Sequence, residues 1–135
     1  MTHGVYKQCD LKFQNELKKD MNKFEEINHK RKESNARFEK LNSRVYKLFL
    51  EMGDATFCDG ALPKKTKELI AIAIGAVTNC ESCMQWHIEQ AYKDGATIHE
   101  VMESLEVAID MGVGPVTVNA RFALDVMENT FGKIK

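Results

Sequence analysis

Two cysteines, a histidine and a glutamate stand at spacings that could bring their side chains together. Cys80 and Cys83 form a C-x-x-C pair, and His87 follows four residues after the second cysteine. If the segment from Glu81 is helical, Cys83 and His87 lie one turn apart, and Cys80 lies a further turn back along the same stripe. Glu68 stands twelve residues before the pair and could orient the imidazole. The pattern indicates a redox dithiol with its own base.

The predicted position of the pair at the start of a helix favours the reactive thiolate. A thiol of pKa about 8.5 is only ~3% ionised at pH 7, and lowering that pKa to about 6.5 raises the thiolate fraction ~25-fold. The same shift lowers the nucleophilicity of the thiolate ~6–10-fold, so the net gain in reaction rate is only a few-fold. We therefore expect His87 and Glu68 to act by moving protons, most usefully to the oxygen that leaves a broken peroxide bond.

The two cysteines have different predicted roles. Cys83 is expected to attack because it lies nearest His87, and its product would be a sulfenic acid. Cys80 would then condense with that sulfenic acid to form a disulfide. A dithiol reductant must reset the pair.

Helices are the elements that must position these residues, because apolar residues recur at intervals of three or four and no run alternates like a strand. Two amphipathic helices are predicted in the first half of the chain, from Phe13, Leu17, Met21, Phe24 and Ile27, and from Phe38, Leu41, Val45, Leu48 and Met52. The charged residues 29–32 are expected to be a solvated connection. Gly53 is expected to end the second helix.

The next predicted helix follows Pro63, which suits the first turn. It is apolar on nearly every side over residues 69–77, so we expect it to be the buried central helix, with Glu68 at its entrance. Gly75 within it predicts the close approach of a neighbouring helix, because glycine otherwise costs about 1 kcal/mol there.

Two more helices complete the prediction. The cysteine helix is expected to end near Asp94, and Thr97 with Glu100 has the form of a capping box that opens the next helix. Gly112 marks the end of that helix, and Pro115 begins the last. The sequence thus predicts an all-α fold of about six helices.

Length and charge limit the classes of function. A chain of 135 residues predicts one domain, residues 1–135, with a helical extension over 1–53 and a core with the dithiol over 60–131. Nineteen basic and twenty acidic residues give a net charge of -1, so we expect neither nucleic acid nor membrane as a partner. We find no signal peptide and no apolar run of the ~20 residues that a bilayer requires, and we expect a cytoplasmic protein.

Glu68, Cys80, Cys83 and His87, on two consecutive predicted helices, resemble the core motif of the alkylhydroperoxidase D family. That family belongs to the carboxymuconolactone decarboxylase-like superfamily, and the resemblance runs from residue 60 to residue 94. It implies an all-helical homo-oligomer, often a trimer or hexamer, that reduces hydroperoxides through its cysteine pair. It also implies recycling by a dithiol reductant, such as a dihydrolipoamide-bearing or thioredoxin-like protein. No cofactor or metal is expected.

Two differences bear on the function that this resemblance implies. Ser82 stands where the best-known peroxidase of the family has a histidine of the proton relay. The decarboxylase branch of the superfamily lacks the cysteine pair, so the pair argues against lactone decarboxylation, although the histidine is shared.

Other interpretations of the same residues remain open. A structural zinc site could use Cys80, Cys83 and His87 with Cys58 or Glu68 as the fourth ligand. A redox sensor without turnover and a disulfide reductase would both use the same exchange chemistry. We expect Cys9 and Cys58 to be ordinary thiols without a role, and Met84 and Trp86 to be packing residues rather than a substrate platform. His99 is expected to belong to a helix-opening turn, and His3 is expected to be disordered.

Overall fold

The computed structural model describes residues 21–134 of the chain, and that part contains helices and no strand. Its five helices are α1 (Lys23–Lys40), α2 (Arg44–Thr56), α3 (Lys64–Val77), α4 (Glu81–Lys93) and α5 (Ile98–Phe131). The predicted all-α class is therefore confirmed. Phe13 and Leu17 of the first predicted helix lie outside the described residues, as do His3 and Cys9.

Residues 21–134 divide into two compact units, residues 21–46 and 47–134, with the boundary inside α2. In the first unit, Asn22 and Glu25 form a capping box at the start of α1. Near the end of this unit the rings of Phe38 and Tyr46 stack with their centroids 4.7 Å apart.

The predicted connection at residues 29–32 is wrong, because these residues lie in the middle of α1. Their charges support the helix, since Lys30 pairs with Glu26 at 2.6 Å and His29 approaches Glu33 to 3.6 Å, both one turn apart. The chain instead leaves the helix near Asn42, which has a positive φ of 52°.

The predicted end of the second helix at Gly53 is also wrong. α2 continues to Thr56, whose hydroxyl donates to the carbonyl of Met52 at 2.7 Å. A glycine ends a helix when it takes the left-handed conformation, and among the described glycines only Gly95 and Gly132 have positive φ.

In the second unit, α3, α4 and α5 pack against one another around one apolar core. Its fully buried side chains include Ile72, Ala76, Met84, Ile88, Ala91, Val101, Leu105, Ala123 and Val126. Two hydrogen bonds from side chains of α5 to backbone carbonyls of α3 tie these helices together at different heights. Ser104 Oγ donates to the carbonyl of Leu69 at 2.5 Å, and Asn119 Nδ2 donates to that of Ala76 at 2.9 Å.

The prediction that α3 is buried on every side is wrong for one of its faces. Ile70, Ile74 and Val77 are each about half exposed, at 46%, 57% and 51%. They line a groove with Val107 and Met111 of α5, which are also exposed. Among the described residues, α4 and α5 pack against only one side of α3, and the residue types of α3 do not distinguish that side from the other.

α5 contains the helix break that the sequence predicts around Gly112 and Pro115. Val113 leaves helical geometry with φ 50° and ψ -129°, so α5 consists of two helical arms joined at a kink. A Cβ at Gly112 would collide with Cγ2 of Val116, so any larger residue there would force Val116 to shift. Counted separately, the arms bring the helices of the described residues to the predicted six.

Thr97 and Glu100 open α5 with the predicted capping box. The Glu100 carboxylate accepts from the Thr97 N–H at 2.7 Å, and the Glu100 N–H donates to Thr97 Oγ1 at 3.2 Å. Lys65 of α3 donates to the same carboxylate at 2.7 Å. This hydrogen bond from Lys65, followed by the one from the Thr97 backbone, lowers the pKa of Glu100 below its usual value of 4.5.

Among the helices of residues 21–134, none combines the length and the apolar character that crossing a lipid bilayer demands.

We predict that Val113→Gly stabilises the protein. A β-branched residue at positive φ is strained by about 1–3 kcal/mol, and replacing it with glycine removes this strain. Glycine also makes the unfolded chain more flexible, which offsets about 0.5–1 kcal/mol of the stabilisation. The free energy of unfolding should therefore rise by about 1 kcal/mol. Urea denaturation measures the change. Val118→Gly is the control, because Val118 is similarly exposed and helical, and its replacement should lower stability. A Val113→Gly protein less stable than the parent would contradict the strain.

We predict that Glu100→Gln lowers stability at neutral pH and has progressively less effect in acid. A carboxyl with a lowered folded-state pKa contributes stability above its unfolded pKa, and that contribution is lost as the pH falls through the folded value. The glutamine keeps a capping side chain but loses the charge. Urea midpoints of both proteins should converge below pH 4.5. A difference that is independent of pH would contradict the ionic contribution.

Candidate functional site

The corner between α3 and α4 determines where the first cysteine lies. Asn79 follows the end of α3 and has a positive φ of 53°. Two backbone bonds close the corner: the Cys80 N–H donates to the Gly75 carbonyl at 2.9 Å, and the Asn79 N–H donates to that of Ala76 at 3.3 Å. This is a Schellman ending, which accepts asparagine at the left-handed position. It reverses the chain and delivers Cys80 to the start of α4.

Cys80 is the N-cap of α4, as the sequence predicts. Its Sγ accepts from the backbone N–H of Cys83 at 3.3 Å. The structure holds Cys80 and Cys83 as a disulfide with their Cα atoms 5.2 Å apart. Both residues are partly exposed. The pair is therefore close enough to cycle between dithiol and disulfide, and it is reachable from solvent.

Gly75 allows α4 to lie directly against α3. A Cβ at this position would lie 3.1 Å from Cγ of Met84, 3.3 Å from its backbone nitrogen and 3.6 Å from Cβ of Cys83. The close helix approach predicted from this glycine is therefore present, and it occurs directly behind the second cysteine. Met84 itself is fully buried, in agreement with its predicted packing role.

A short hydrogen bond joins Glu68 of α3 to His87 of α4. Nδ1 of His87 lies 2.6 Å from Oε2 of Glu68. The Glu68 side chain is 2% exposed and that of His87 is 17% exposed. Because Nδ1 is engaged with the carboxylate, Nε2 is the ring nitrogen left for proton exchange with a thiol or a substrate.

The position of Glu68 differs from the prediction in one respect. α3 begins at Lys64, so Glu68 lies in its second turn and not at its entrance. Its burial and its contact with His87 show that it does more than complement the helix dipole. The catalytic roles of these residues and of the cysteines stay predictions, while the Glu68–His87 hydrogen bond and the Cys80–Cys83 disulfide are observed.

Two residues that the sequence did not single out also contact the site. The ring of Phe57, just after α2, stacks on the imidazole of His87 with centroids 5.0 Å apart and planes 27° apart. Lys67 Nζ donates to the carbonyls of Thr56 and Cys58 at 2.9 and 2.7 Å. No local sequence signal marks Phe57, because it lies in a loop thirty positions from His87. Lys67 is one of several lysines at the start of α3, and no pattern in the sequence singles it out.

Other residues considered from the sequence lie at the edge of the site or outside it. Ser82, at the position of the family's relay histidine, is exposed. The predicted packing role of Trp86 is wrong, because this residue is 42% exposed and the Lys93 ammonium lies 6.0 Å from its ring. His99 is exposed within the first turn of α5.

The zinc arrangement does not occur among the described residues. Cys58 is exposed, and its Sγ donates to the carbonyl of Ala55 at 3.1 Å. Within residues 21–134, no group of three or more histidine, cysteine and carboxylate side chains is placed to hold a metal ion.

Comparison with known proteins gives a family match over the region that contains the site. The model of the carboxymuconolactone decarboxylase family matches residues 43–126, which is more than half of the 135-residue chain. Glu68, both cysteines and His87 all lie inside the match. The resemblance recognised from these four residues is thereby confirmed at the level of this family.

Individual relatives agree with the family match. The chain is 40% identical over 84 residues to uncharacterized protein 4 in the cox locus of Paracoccus denitrificans, covering 62% of this chain and 76% of the relative. A carboxymuconolactone decarboxylase family protein from Legionella pneumophila has a similar crystal structure, with a TM-score of 0.78, 36% identity, and coverage of 84% of this chain and 100% of that one.

A family member from Thermotoga maritima, suggested to be involved in antioxidative response, is also similar. Its TM-score is 0.71 at 27% identity, with coverage of 77% of this chain and 88% of that one.

We predict that His87→Ala lowers the free energy of unfolding by about 2–4 kcal/mol, because the buried Glu68 loses its hydrogen-bond partner. Urea denaturation of the oxidised protein measures the loss. His99→Ala is the matched control, and this exposed histidine should cost under about 0.5 kcal/mol. Adding Glu68→Leu to His87→Ala should restore part of the loss, since the buried carboxyl is then gone. Equal effects of the two alanine variants would contradict the structural importance of the pair.

Proposed function

The chain belongs to the carboxymuconolactone decarboxylase family. Within this family, we propose that the protein is a thiol-dependent peroxidase that reduces hydroperoxides. The observation that carries the proposal is the Cys80–Cys83 disulfide beside a histidine that a buried carboxyl orients. A dithiol supplies two electrons, and the histidine supplies the path for the proton that the reaction moves.

In the proposed reaction the Cys83 thiolate attacks one oxygen of the hydroperoxide. An S–O bond forms and the O–O bond breaks, so that cysteine is oxidised to a sulfenic acid and the peroxide is reduced. The leaving alkoxide takes a proton from Nε2 of His87 and departs as an alcohol. That proton is the one that His87 had accepted from the Cys83 thiol, so His87 returns to its starting state and the proton balance closes. Glu68 holds Nδ1 throughout.

Cys80 then completes the cycle. Its thiolate attacks the sulfenic sulfur of Cys83, the disulfide forms, and the hydroxide leaves as water after taking a proton. An external dithiol restores the reduced pair by exchange. In that step the Cys83 N–H, which donates to Cys80 Sγ, favours Cys80 as the departing thiolate, so the reductant attacks Cys83.

The assembly, location and reductant of the enzyme are part of the same proposal. The exposed apolar groove between α3 and α5 supports assembly into a homo-oligomer, a trimer or hexamer, because monomers rarely expose a large apolar patch. The need to regenerate the dithiol supports a cytoplasmic location, where thiols are kept reduced. Dihydrolipoamide-bearing and thioredoxin-like proteins are suitable reductants because both offer a dithiol.

The second candidate function is a redox sensor or disulfide reductase that uses the same pair. The exposed Ser82 favours it, because a serine there cannot replace the imidazole of the relay histidine in the family's best-known peroxidase. A lactone decarboxylase has less support, since that activity gives the cysteine pair no role.

We predict that the wild-type protein consumes hydroperoxide catalytically with dithiothreitol or dihydrolipoamide as reductant. Cys83→Ser should reduce turnover at least ~100-fold, because the attacking nucleophile is gone. Cys80→Ser should still react once and accumulate a sulfenic acid on Cys83, which dimedone traps and mass spectrometry locates. Cys58→Ser is the control and should keep wild-type turnover, since its thiol bonds to Ala55 and takes no part in the disulfide.

Three outcomes separate the alternatives. A sulfenic acid trapped only on Cys80 reverses the assignment of the two cysteines. Stoichiometric oxidation by peroxide without turnover supports the sensor. Reduction of a protein disulfide, with no reaction towards peroxide, supports the disulfide reductase.

A further inference from the structure

The imidazole of His87 is held in two ways, and only one of them involves Glu68. The Glu68 carboxylate engages Nδ1 along the edge of the ring. This bond fixes one atom, but it leaves the ring free to tilt about the line that joins Nδ1 to the carboxylate oxygen. Phe57 lies against the face of the ring, with centroids 5.0 Å apart. A stacked ring opposes that tilt, so edge and face contacts together define where Nε2 points.

The backbone on either side of Phe57 is fixed by one side chain. Lys67 Nζ donates to the carbonyl of Thr56 at 2.9 Å and to that of Cys58 at 2.7 Å. The Phe57 N–H itself donates to the carbonyl of Gly53 at 2.9 Å. An ammonium group bonded to two carbonyls restrains the loop, because charge-assisted hydrogen bonds are stronger than neutral ones.

The far end of the same loop is also attached to α3. Asp59 Oδ1 accepts from the backbone N–H of Lys64 at 2.8 Å, at the first residue of the helix. Lys67 and Glu68 are neighbours in α3, so one helix turn supplies both the group that holds the edge of His87 and the group that holds the loop over its face.

We infer that Phe57 is a positioning residue for His87 and that Lys67 anchors it. Phe57 sets the tilt of the imidazole and covers one face of the ring, and Lys67 keeps the loop in place. The consequence for catalysis rests on the proposed function, because proton delivery to the leaving oxygen requires Nε2 to be correctly directed. The consequence for His87 itself does not depend on any substrate.

The test uses the full chain with Phe57→Leu, which keeps an apolar side chain without a ring, and Phe57→Tyr, which restores the ring. Lys67→Met removes the anchor alone. Phe131→Leu is the matched control for phenylalanine, since Phe131 is also partly buried and contacts a ring, Tyr92, at 4.9 Å. Lys65→Met is the matched control for lysine, since Lys65 lies on the same helix and bonds to Glu100 instead.

The first measurement is hydrogen–deuterium exchange at the imidazole C2 position of His87, by mass spectrometry of the disulfide form. Phe57→Leu and Lys67→Met should speed this exchange about 2- to 10-fold, the range that corresponds to the strength of one aromatic pair. Phe57→Tyr and both controls should match the wild type. Unchanged exchange in Phe57→Leu, or equal changes in the leucine and tyrosine variants, would overturn the inference.

The second measurement is the rate of sulfenic acid formation at saturating hydroperoxide, in single turnovers of the reduced protein. Phe57→Leu and Lys67→Met should lower this rate about 2- to 10-fold with little effect on KM, while Phe57→Tyr stays near wild type. A rate unchanged in Phe57→Leu despite faster exchange would overturn the positioning role.

If wild-type protein does not react with peroxide, the proposed function fails and exchange alone decides the inference. If Phe57→Leu does not fold by circular dichroism, Lys67→Met decides it.

Discussion

The hydrogen bond between Glu68 and His87 is the interaction on which the site depends. It joins α3 to α4 at a point where the carboxyl is almost completely removed from solvent. Burying such a group is unfavourable unless a partner satisfies it, so the two helices hold their register here or lose stability. The same bond occupies Nδ1 and leaves Nε2 as the ring nitrogen for proton exchange. A contact between two packed helices therefore also orients the imidazole that the proposed proton relay uses.

The position of the cysteine pair is also set by contacts that stabilise the ends of helices. Asn79 in the left-handed conformation ends α3, and the Sγ of Cys80 caps α4, so the corner satisfies the ends of both helices while it places the dithiol. Gly75 removes the side chain that would otherwise push α4 away. The disulfide thus lies at the junction of two helices, and both of its cysteine residues are partly exposed.

Membership of the carboxymuconolactone decarboxylase family limits the chemistry without selecting the substrate. The site combines the dithiol, the exposed Ser82 and the loop that carries Phe57. The proposed peroxide reduction would move protons at His87. Glu68 lies at the edge of that imidazole and Phe57 lies on its face.

The sequence by itself determined the helical class, the capping box at Thr97, the helix break near Gly112 and the proximity of the cysteines to His87. These follow from local spacing and from residue types with strong backbone preferences. It misplaced the end of α2 at Gly53, because a glycine ends a helix only when its backbone turns left-handed. Tertiary structure alone decided which face of α3 is buried and which loop covers His87. Those contacts join residues far apart in the chain, and no local pattern encodes them.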